Sequence, residues 1–179
     1  MGVRWSHCVL KVHDLEAMTE FYCDALGFRV ADRGSLGQDR EIVFLSGSSS
    51  DHHQLALASG REPGDGGSLD HNAFRVDSLA DVRDVLERMD ADERAPFAAP
   101  LTHGNAISVY FGDPEGNGIE VFCDTPWHVR QPQAKGWEPS MNDDDVLAAV
   151  RADFESEPEF MPMEQYRARQ AEIFGEGGS

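Results

Sequence analysis

The sequence predicts an α+β fold in which two β-α-β-β-β modules form a curved mixed sheet around a metal cleft, followed by a C-terminal helical extension. Three observations predict it. A short segment near the N-terminus recurs in the middle of the chain, a helical pattern follows each copy, and short β-type runs follow each helix. The chain has 179 residues, which is enough for one sizeable domain or for two small modules that share a core.

The internal repeat relates the segment His7–Leu15 to the segment His71–Leu79. A histidine, a basic residue, a valine and a leucine recur in register between the two segments. We therefore expect module one at residues 4–60 and module two at residues 68–125, together one domain over residues 1–125. Residues 126–179 lie outside the repeat and form the extension.

Each copy of the repeat leads into an amphipathic helix. Apolar residues recur at helical spacing over Glu16–Leu26 and over Leu79–Met89. Asp14 and Ser78 stand where an N-cap is expected, because their side chains can accept a hydrogen bond from a free backbone amide. Gly27 is placed to end the first helix in a left-handed conformation.

Three short β-type runs follow each helix and complete the two modules. Clusters of Gly, Ser, Asp and Pro separate them, such as the cluster Gly34–Gly37, and a Gly-rich linker at 60–68 joins the modules. The runs are Phe28–Asp32, Glu41–Leu45 and His53–Ala58 in module one, and Ala95–Leu101, Ala106–Phe111 and Ile119–Cys123 in module two.

In the extension, the sequence predicts an irregular stretch followed by two helices. Pro126–Pro139 carries no clear period, whereas Asp143–Phe154 and Met163–Phe174 have helical patterns. The acidic run that starts at Asn142 suits the first turn of a helix, since negative charge is favourable at the positive end of the helix dipole.

Composition narrows the classes of function. The formal net charge is −18, which argues against nucleic acid and against anionic membrane surfaces, because both need a basic footprint. The sequence holds no apolar run of about 18 residues and no secretion signal. Its three cysteines are an odd number without CxxC spacing, which fits a reduced, cytoplasmic protein.

The repeat also predicts a metal site. His7 and His71 occupy equivalent positions near the start of the two first strands, and equivalent positions converge on the axis that relates two copies. Glu120 is a lone acid in an apolar run, and a buried carboxylate without a cation or hydrogen-bond partner costs several kcal/mol. Its repeat equivalent is Ala56, which cannot bind a metal. Two imidazoles and one carboxylate suit Fe(II), although Mn(II) or another divalent metal stays open.

Four stretches of the chain carry a family resemblance: residues 6–10, 51–57, 69–74 and 108–120. Over about residues 5–124 the chain resembles the vicinal oxygen chelate superfamily, which includes glyoxalase I, fosfomycin- and bleomycin-resistance proteins and extradiol dioxygenases. The Asp-Pro-Glu-Gly-Asn turn is shared across the superfamily. The His-His-Gln-Leu-Ala-Leu stretch and the tyrosine ten residues before Glu120 look most like small type I extradiol ring-cleaving dioxygenases.

The resemblance implies a role for five residues. His7, His71 and Glu120 match the positions that bind Fe(II), His53 matches the acid–base catalyst, and Tyr110 matches the tyrosine that hydrogen-bonds the substrate hydroxylate. The implied activity is cleavage of the aromatic ring of a catechol-type substrate with O₂. The larger members of the family carry an additional N-terminal repeat pair that has no counterpart in this sequence.

Two further histidines are candidate substrate contacts. His103 lies near Tyr110, but its spacing departs from that of the longer enzymes. His128 falls in the irregular stretch after the last strand, where it could meet a substrate ring or carboxylate, although aromatic packing of the extension is the favoured reading.

Other functions and assemblies stay open at this point. A glyoxalase-like lyase or isomerase is one alternative, but such enzymes usually have Glu at the position of Ala56. A non-catalytic ligand-binding resistance protein is another, but such proteins commonly lose the metal ligands that this sequence keeps. A homodimer and a monomer capped by the extension are both compatible with the sequence.

Overall fold

A computed structural model describes residues 5–62, 64 and 69–174, so most of the predicted linker lies outside the described residues. The chain divides into two units. The first comprises the residues up to Asp70 with Asp92–Pro96 and Gly112–Gly118, and the second comprises His71–Ala91, Phe97–Phe111 and the chain from Ile119 onward.

The first unit contains a four-stranded mixed sheet and one helix. Strands β1 and β4 are parallel, whereas β4 with β3 and β3 with β2 are antiparallel, in the order β1-β4-β3-β2. The elements are β1 (Cys8–Val12), α1 (Leu15–Leu26), β2 (Arg29–Gly37), β3 (Arg40–Ser46) and β4 (Leu55–Ser59). Their order along the chain is the predicted β-α-β-β-β.

Helix α1 begins and ends as its sequence predicts. The Asp14 side chain accepts a hydrogen bond from the Ala17 amide, and Gly27 adopts a left-handed φ of 69°. Phe21 and Tyr22 are buried. Ala17, which also lies within the apolar pattern of this segment, is exposed.

Strand β2 is longer than the sequence predicted, and the prediction of a loop at Gly34–Gly37 was wrong. That segment belongs to β2, and the chain reverses at Gln38 and Asp39, whose φ angles are 54° and 59°. Two successive positive φ angles match the tight hairpin turn that fits the twist of antiparallel strands. Every residue of β2 is exposed, so this edge strand lacks the alternation of apolar residues that marks a half-buried strand.

The second unit repeats this order and adds the extension. Its five-stranded sheet has the order β10-β6-β7-β8-β5, and a small two-stranded sheet pairs β11 with β9. The elements are β5 (His71–Arg75), α2 (Leu79–Ala91), β6 (Ala98–Thr102), β7 (Ala106–Gly112), β8 (Gly118–Asp124), β9 (Trp127–His128), β10 (Lys135–Gly136), α3 (Asp143–Phe154), β11 (Met161–Pro162) and α4 (Met163–Phe174).

Helix α2 starts at a reciprocal cap. The Ser78 hydroxyl accepts a hydrogen bond from the Asp81 amide, and the Asp81 carboxylate accepts one from the Ser78 amide. Two backbone N–H groups that have no acceptor within the helix are thereby hydrogen-bonded. The apolar residues of α2, such as Val82 and Leu86, are buried. The predicted cap at Ser78 is confirmed.

The extension packs through aromatic side chains and one apolar helix face. Helices α3 and α4 have the predicted bounds, and Asn142 caps α3 by accepting from the Asp145 amide. Phe154 of α3 is completely buried. The Trp127 ring stacks on Phe160, with a centroid separation of 6.1 Å.

The α+β fold class with mixed sheets is therefore confirmed. Among the helices of the described residues, none has the length and apolar character needed to cross a membrane.

Candidate metal centre and adjoining cleft

A buried carboxylate forms the centre of the candidate site in the second unit. Glu120 on β8 is only 7% exposed. Ser108 on the neighbouring strand β7 donates a hydrogen bond of 2.6 Å to Glu120 Oε1. His71 Nε2, at the start of β5 on the other side of β8, lies 3.4 Å from Glu120 Oε2. The strand order β7-β8-β5 therefore brings a histidine and a hydroxyl to opposite oxygens of the same carboxylate.

The donor set of His71 and Glu120 fits a divalent metal. Two ligand atoms that each lie about 2.1 Å from one ion, at angles between octahedral and tetrahedral, are about 3.0–3.4 Å apart. The 3.4 Å separation of His71 Nε2 and Glu120 Oε2 falls at the upper end of this range. Within the part of the chain that the structure describes, no group of three or more His, Cys, Asp or Glu side chains is arranged to hold an ion.

His103 and Tyr110 form a second polar pair beside Glu120. The Tyr110 hydroxyl lies 3.0 Å from His103 Nε2, and the same nitrogen is 3.7 Å from Glu120 Oε1. His103 Nδ1 contacts the Gln133 carbonyl, which can only accept, so Nδ1 carries the proton. In the neutral imidazole, Nε2 then accepts a hydrogen bond from Tyr110. The Tyr110 ring meets the His71 ring edge-on, with centroids 5.3 Å apart.

The extension contributes two side chains that hold this site. The buried Trp137 indole donates from Nε1 to the Ser108 carbonyl at 2.8 Å, and the Gln131 amide donates to the His103 carbonyl at 2.9 Å. Sequence reasoning missed Ser108 and Gln131. Ser108 could have been found, because it shares the side-chain face of β7 with Tyr110 in a strand of otherwise apolar residues.

Gly104 lets the chain turn closely against the extension just after His103. Its φ is 79°, and a Cβ at this position would lie 2.6 Å from Val129 Cγ1 and 3.0 Å from the Phe154 ring. Only glycine fits a positive φ and so short an approach together.

The remaining predicted residues of the first repeat lie in the first unit. The His7 and His53 rings are 4.3 Å apart between centroids, and His53 contacts Phe44 at 4.9 Å. Ser6 Oγ lies 3.1 Å from His7 Nδ1, an arrangement that leaves Nε2 of His7 for another partner. Partial burial lowers the pKa of His53 from its ordinary value, and the neighbouring His7 and His52 lower it further.

The position equivalent to Glu120 is apolar core in the first unit. Ala56 is completely buried on β4 and packs with Ile42, Ala58 and the partly buried Phe44. In the β1–β4 pair it lies opposite Val9. The first copy of the repeat thus has an apolar side chain at the position where the second copy has a carboxylate.

His128 has the contacts of a packing residue. It is 8% exposed, and its ring stacks on Tyr166 with a centroid separation of 3.7 Å and an interplanar angle of 7°. Burial lowers the pKa of His128 from its ordinary value, and Glu159, whose Oε2 lies 3.9 Å from Nε2, acts in the opposite direction. A role for His128 in contacting substrate stays a prediction.

An open cleft adjoins the polar centre of the second unit. Its volume is about 360 Å³, which lies in the range of small-molecule sites. Its walls include Arg75, His103, Asn105, Glu120, Phe122 and Asp124.

Comparison with known proteins assigns the family. Residues 4–121 match the model of the glyoxalase/bleomycin resistance protein/dioxygenase superfamily. The chain belongs to this superfamily, which confirms the resemblance drawn from the repeat and its motifs.

Curated relatives are dioxygenases. The chain is 31% identical over 127 residues to biphenyl-2,3-diol 1,2-dioxygenase 2 of Rhodococcus globerulus, a match that covers 68% of this chain and 63% of that protein. It is 28% identical over 140 residues to metapyrocatechase of Pseudomonas sp. strain CF600, with 76% of this chain and 44% of that protein covered. The chain thus spans less than two thirds of the length of these relatives.

Solved structures show the same fold. A mutant of the genomically encoded fosfomycin resistance protein of Listeria monocytogenes, complexed with Mn(II) and a dihydroxypropylphosphonic acid, matches with a TM-score of 0.56 and 20% identity, covering 70% of this chain and 95% of that one. A possible glyoxalase from Bacillus cereus matches with a TM-score of 0.52 and 24% identity, covering 68% of this chain and all of that one.

Proposed function

We propose that this protein is an Fe(II)-dependent extradiol dioxygenase that cleaves the aromatic ring of a catechol-type substrate with O₂. The observation that carries the proposal is the pair of His71 and the buried Glu120, with His103 and Tyr110 beside it. This set combines metal-binding atoms with groups that hold and move protons. The dioxygenase names of the curated relatives support the same reaction class.

In this proposal His71, Glu120 and His7 hold the metal. The first two fit a shared ion by their separation, and His7 is assigned as the third ligand from the repeat and the family resemblance. Bound Fe(II) supplies open coordination positions and the redox capacity that O₂ chemistry needs. Ser108 holds Glu120 Oε1, so that Oε2 is directed to the metal.

Tyr110 and His103 receive the substrate hydroxyl. The Tyr110 hydroxyl donates to His103 Nε2, and its oxygen can accept a hydrogen bond from the hydroxyl of an incoming diol. When the Tyr110 oxygen takes a proton from the diol hydroxyl, the proton that Tyr110 already carries can pass to His103 Nε2. His53, by the family resemblance, is the general acid–base; an imidazole has a reference pKa of about 6.5 and can both take and return a proton near neutral pH.

An alternative lyase or isomerase activity fits less well. The resemblance to glyoxalase-like enzymes calls for a carboxylate at the position of Ala56, and that position is packed in apolar core. Stoichiometric nickel or zinc in untreated protein, together with turnover of a hemithioacetal, would favour this alternative.

The test is turnover by anaerobically prepared, Fe(II)-loaded protein. We expect O₂ uptake and the yellow colour of a ring-cleaved product when catechols are added. Tyr110→Phe should lower kcat/KM by about 100- to 10,000-fold, the typical contribution of a positioned proton-transfer group, while iron binding persists. Tyr166→Phe, on the His128 stack of the extension, is the matched control. Absence of O₂ uptake with every catechol, in protein that holds iron, would refute the proposal.

A further inference from the structure

The floor of the cleft has a polar end, an apolar middle and a charged end. Side chains alternate along a strand, so Glu120, Phe122 and Asp124 share one face of β8, and His71 and Arg75 share one face of β5. Successive residues on one face are about 7 Å apart. Along the cleft, Glu120, which lies beside His71, is thus followed by the Phe122 ring and then by Arg75 and Asp124.

Arg75 carries positive charge over this floor. Its guanidinium carbon lies 5.1 Å from the centre of the Phe122 ring, and its side chain is 63% exposed. Its Nη2 is 3.6 Å from Asp124 Oδ1, which is longer than a hydrogen bond. A guanidinium has five N–H donors, so this ion pair leaves capacity for a ligand.

Asp124 has a closer basic partner than Arg75. Arg167 Nη2 of α4 donates to Asp124 Oδ2 at 3.1 Å. Two arginines therefore share one carboxylate, and of the two only Arg75 is among the residues that line the cleft. Arg167 already holds the Asp124 carboxylate by a hydrogen bond. A need to hold Asp124 therefore does not explain why Arg75 lies over the Phe122 ring.

We propose that Arg75 binds an anionic substituent of the substrate, so that the preferred substrates are catechols whose short side chain ends in a carboxylate. This inference rests on the proposed function, because it places the diol at the His71–Glu120 end. One aromatic ring then lies along the Phe122 side chain, between the diol and Arg75. Arginine suits the far end because its planar donors can hold both oxygens of a carboxylate.

The test compares an anionic diol with a neutral one of similar shape. The probes are 3,4-dihydroxyphenylacetate and 4-ethylcatechol, and the protein is the full chain loaded with Fe(II). Binding of each probe is measured by calorimetry without O₂, and kcat/KM is measured with O₂. We expect the wild-type protein to prefer the carboxylate by about tenfold or more in both measurements, the size expected of a charge-assisted hydrogen bond.

Two arginine variants separate contact from general electrostatics. Arg75→Gln should reduce the preference to about twofold or less. Arg167→Gln removes the same charge from the same ion-pair group at a residue that does not itself line the cleft, and it should keep the preference. Rising salt should weaken binding of the anionic probe more than that of the neutral one.

The outcomes for the two proposals are distinguishable. Equal affinity and equal kcat/KM for the two probes in the wild-type protein would overturn the role of Arg75 while leaving the dioxygenase reaction standing. An equal loss of preference in both variants would also overturn it, since it would indicate long-range charge rather than contact. An Arg75-dependent preference in binding without any O₂ uptake would support the anion site and refute the reaction.

Discussion

Replacing Ser108 by alanine tests whether Glu120 is positioned for a metal. The Ser108 hydroxyl donates to Glu120 Oε1 at 2.6 Å, and Glu120 is 7% exposed. The substitution leaves Oε1 without this donor, and His103 Nε2, at 3.7 Å from Oε1, is beyond hydrogen-bond distance. The Glu120 carboxylate can then rotate, and Oε2 is no longer held in the orientation that the Ser108 hydrogen bond to Oε1 fixes.

The expected cost follows from the kind of bond that is lost. A hydrogen bond to a charged group contributes about 1.5–3 kcal/mol, which corresponds to roughly 10- to 150-fold in an equilibrium constant. Loss of a residue that orients a metal ligand weakens metal binding by about 10- to 100-fold. We therefore expect the Kd for Fe(II) or Mn(II) to rise by at least about tenfold in Ser108→Ala.

The assay is anaerobic titration calorimetry with Fe(II), with Mn(II) as an air-stable substitute. Ser140→Ala is the matched control, because the Ser140 hydroxyl donates to the Glu138 carboxylate at 2.8 Å on the exposed surface, away from the candidate site. Circular dichroism confirms that both variants are folded. A Ser108→Ala protein that is folded and binds metal within twofold of wild type would refute the positioning argument.

Three further substitutions test the fold around the site. Gly104→Ala should lower the free energy of unfolding by at least about 2 kcal/mol more than Gly116→Ala in urea denaturation, because both have φ of 79° but only Gly104 lies against other side chains; equal losses would contradict this. Ala56→Glu should cost about 4 kcal/mol or more, since it buries a carboxylate among apolar groups, whereas Ala17→Glu on the exposed face of α1 should be nearly neutral. Burial lowers the pKa of His128 in the folded state, so below about pH 6.5 the unfolded chain binds more protons than the folded one. The contribution of His128 to the free energy of unfolding is therefore fully present above that pH and is lost as the pH falls towards the folded-state pKa. The free energy of unfolding of His128→Phe should fall less over this range, and an unchanged pH dependence would contradict the assignment.

Much of the fold follows from local signals in the sequence. The bounds of α3 and α4 and the caps at Asp14 and Ser78 agree with the structure, because periodicity and capping depend on residues within one or two turns. Strand β2 was misjudged because an edge strand that faces solvent on every residue carries no alternation. Its glycines therefore indicated a loop rather than a strand.

The candidate site was predicted less completely than the fold. The repeat and the family resemblance singled out His71, Glu120 and Tyr110, which lie together in the second unit. Trp137 and Arg75 could not be assigned from the sequence, because their contacts depend on which strands are neighbours in the sheet. The stacking of His128 on Tyr166 joins two segments of the extension and has no local sequence signal either.

The close approach at Gly104 has a consequence for how the second unit opens. The turn after His103 rests against Phe154, and the Thr125 hydroxyl donates to the Gly104 carbonyl at 2.6 Å. Separating α3 from the sheet would expose this turn. Amide hydrogens of α3 and of the β6–β7 hairpin should therefore exchange with solvent in one cooperative opening event, with a common free energy. On this view the extension governs how long the proton-transfer pair stays assembled between openings.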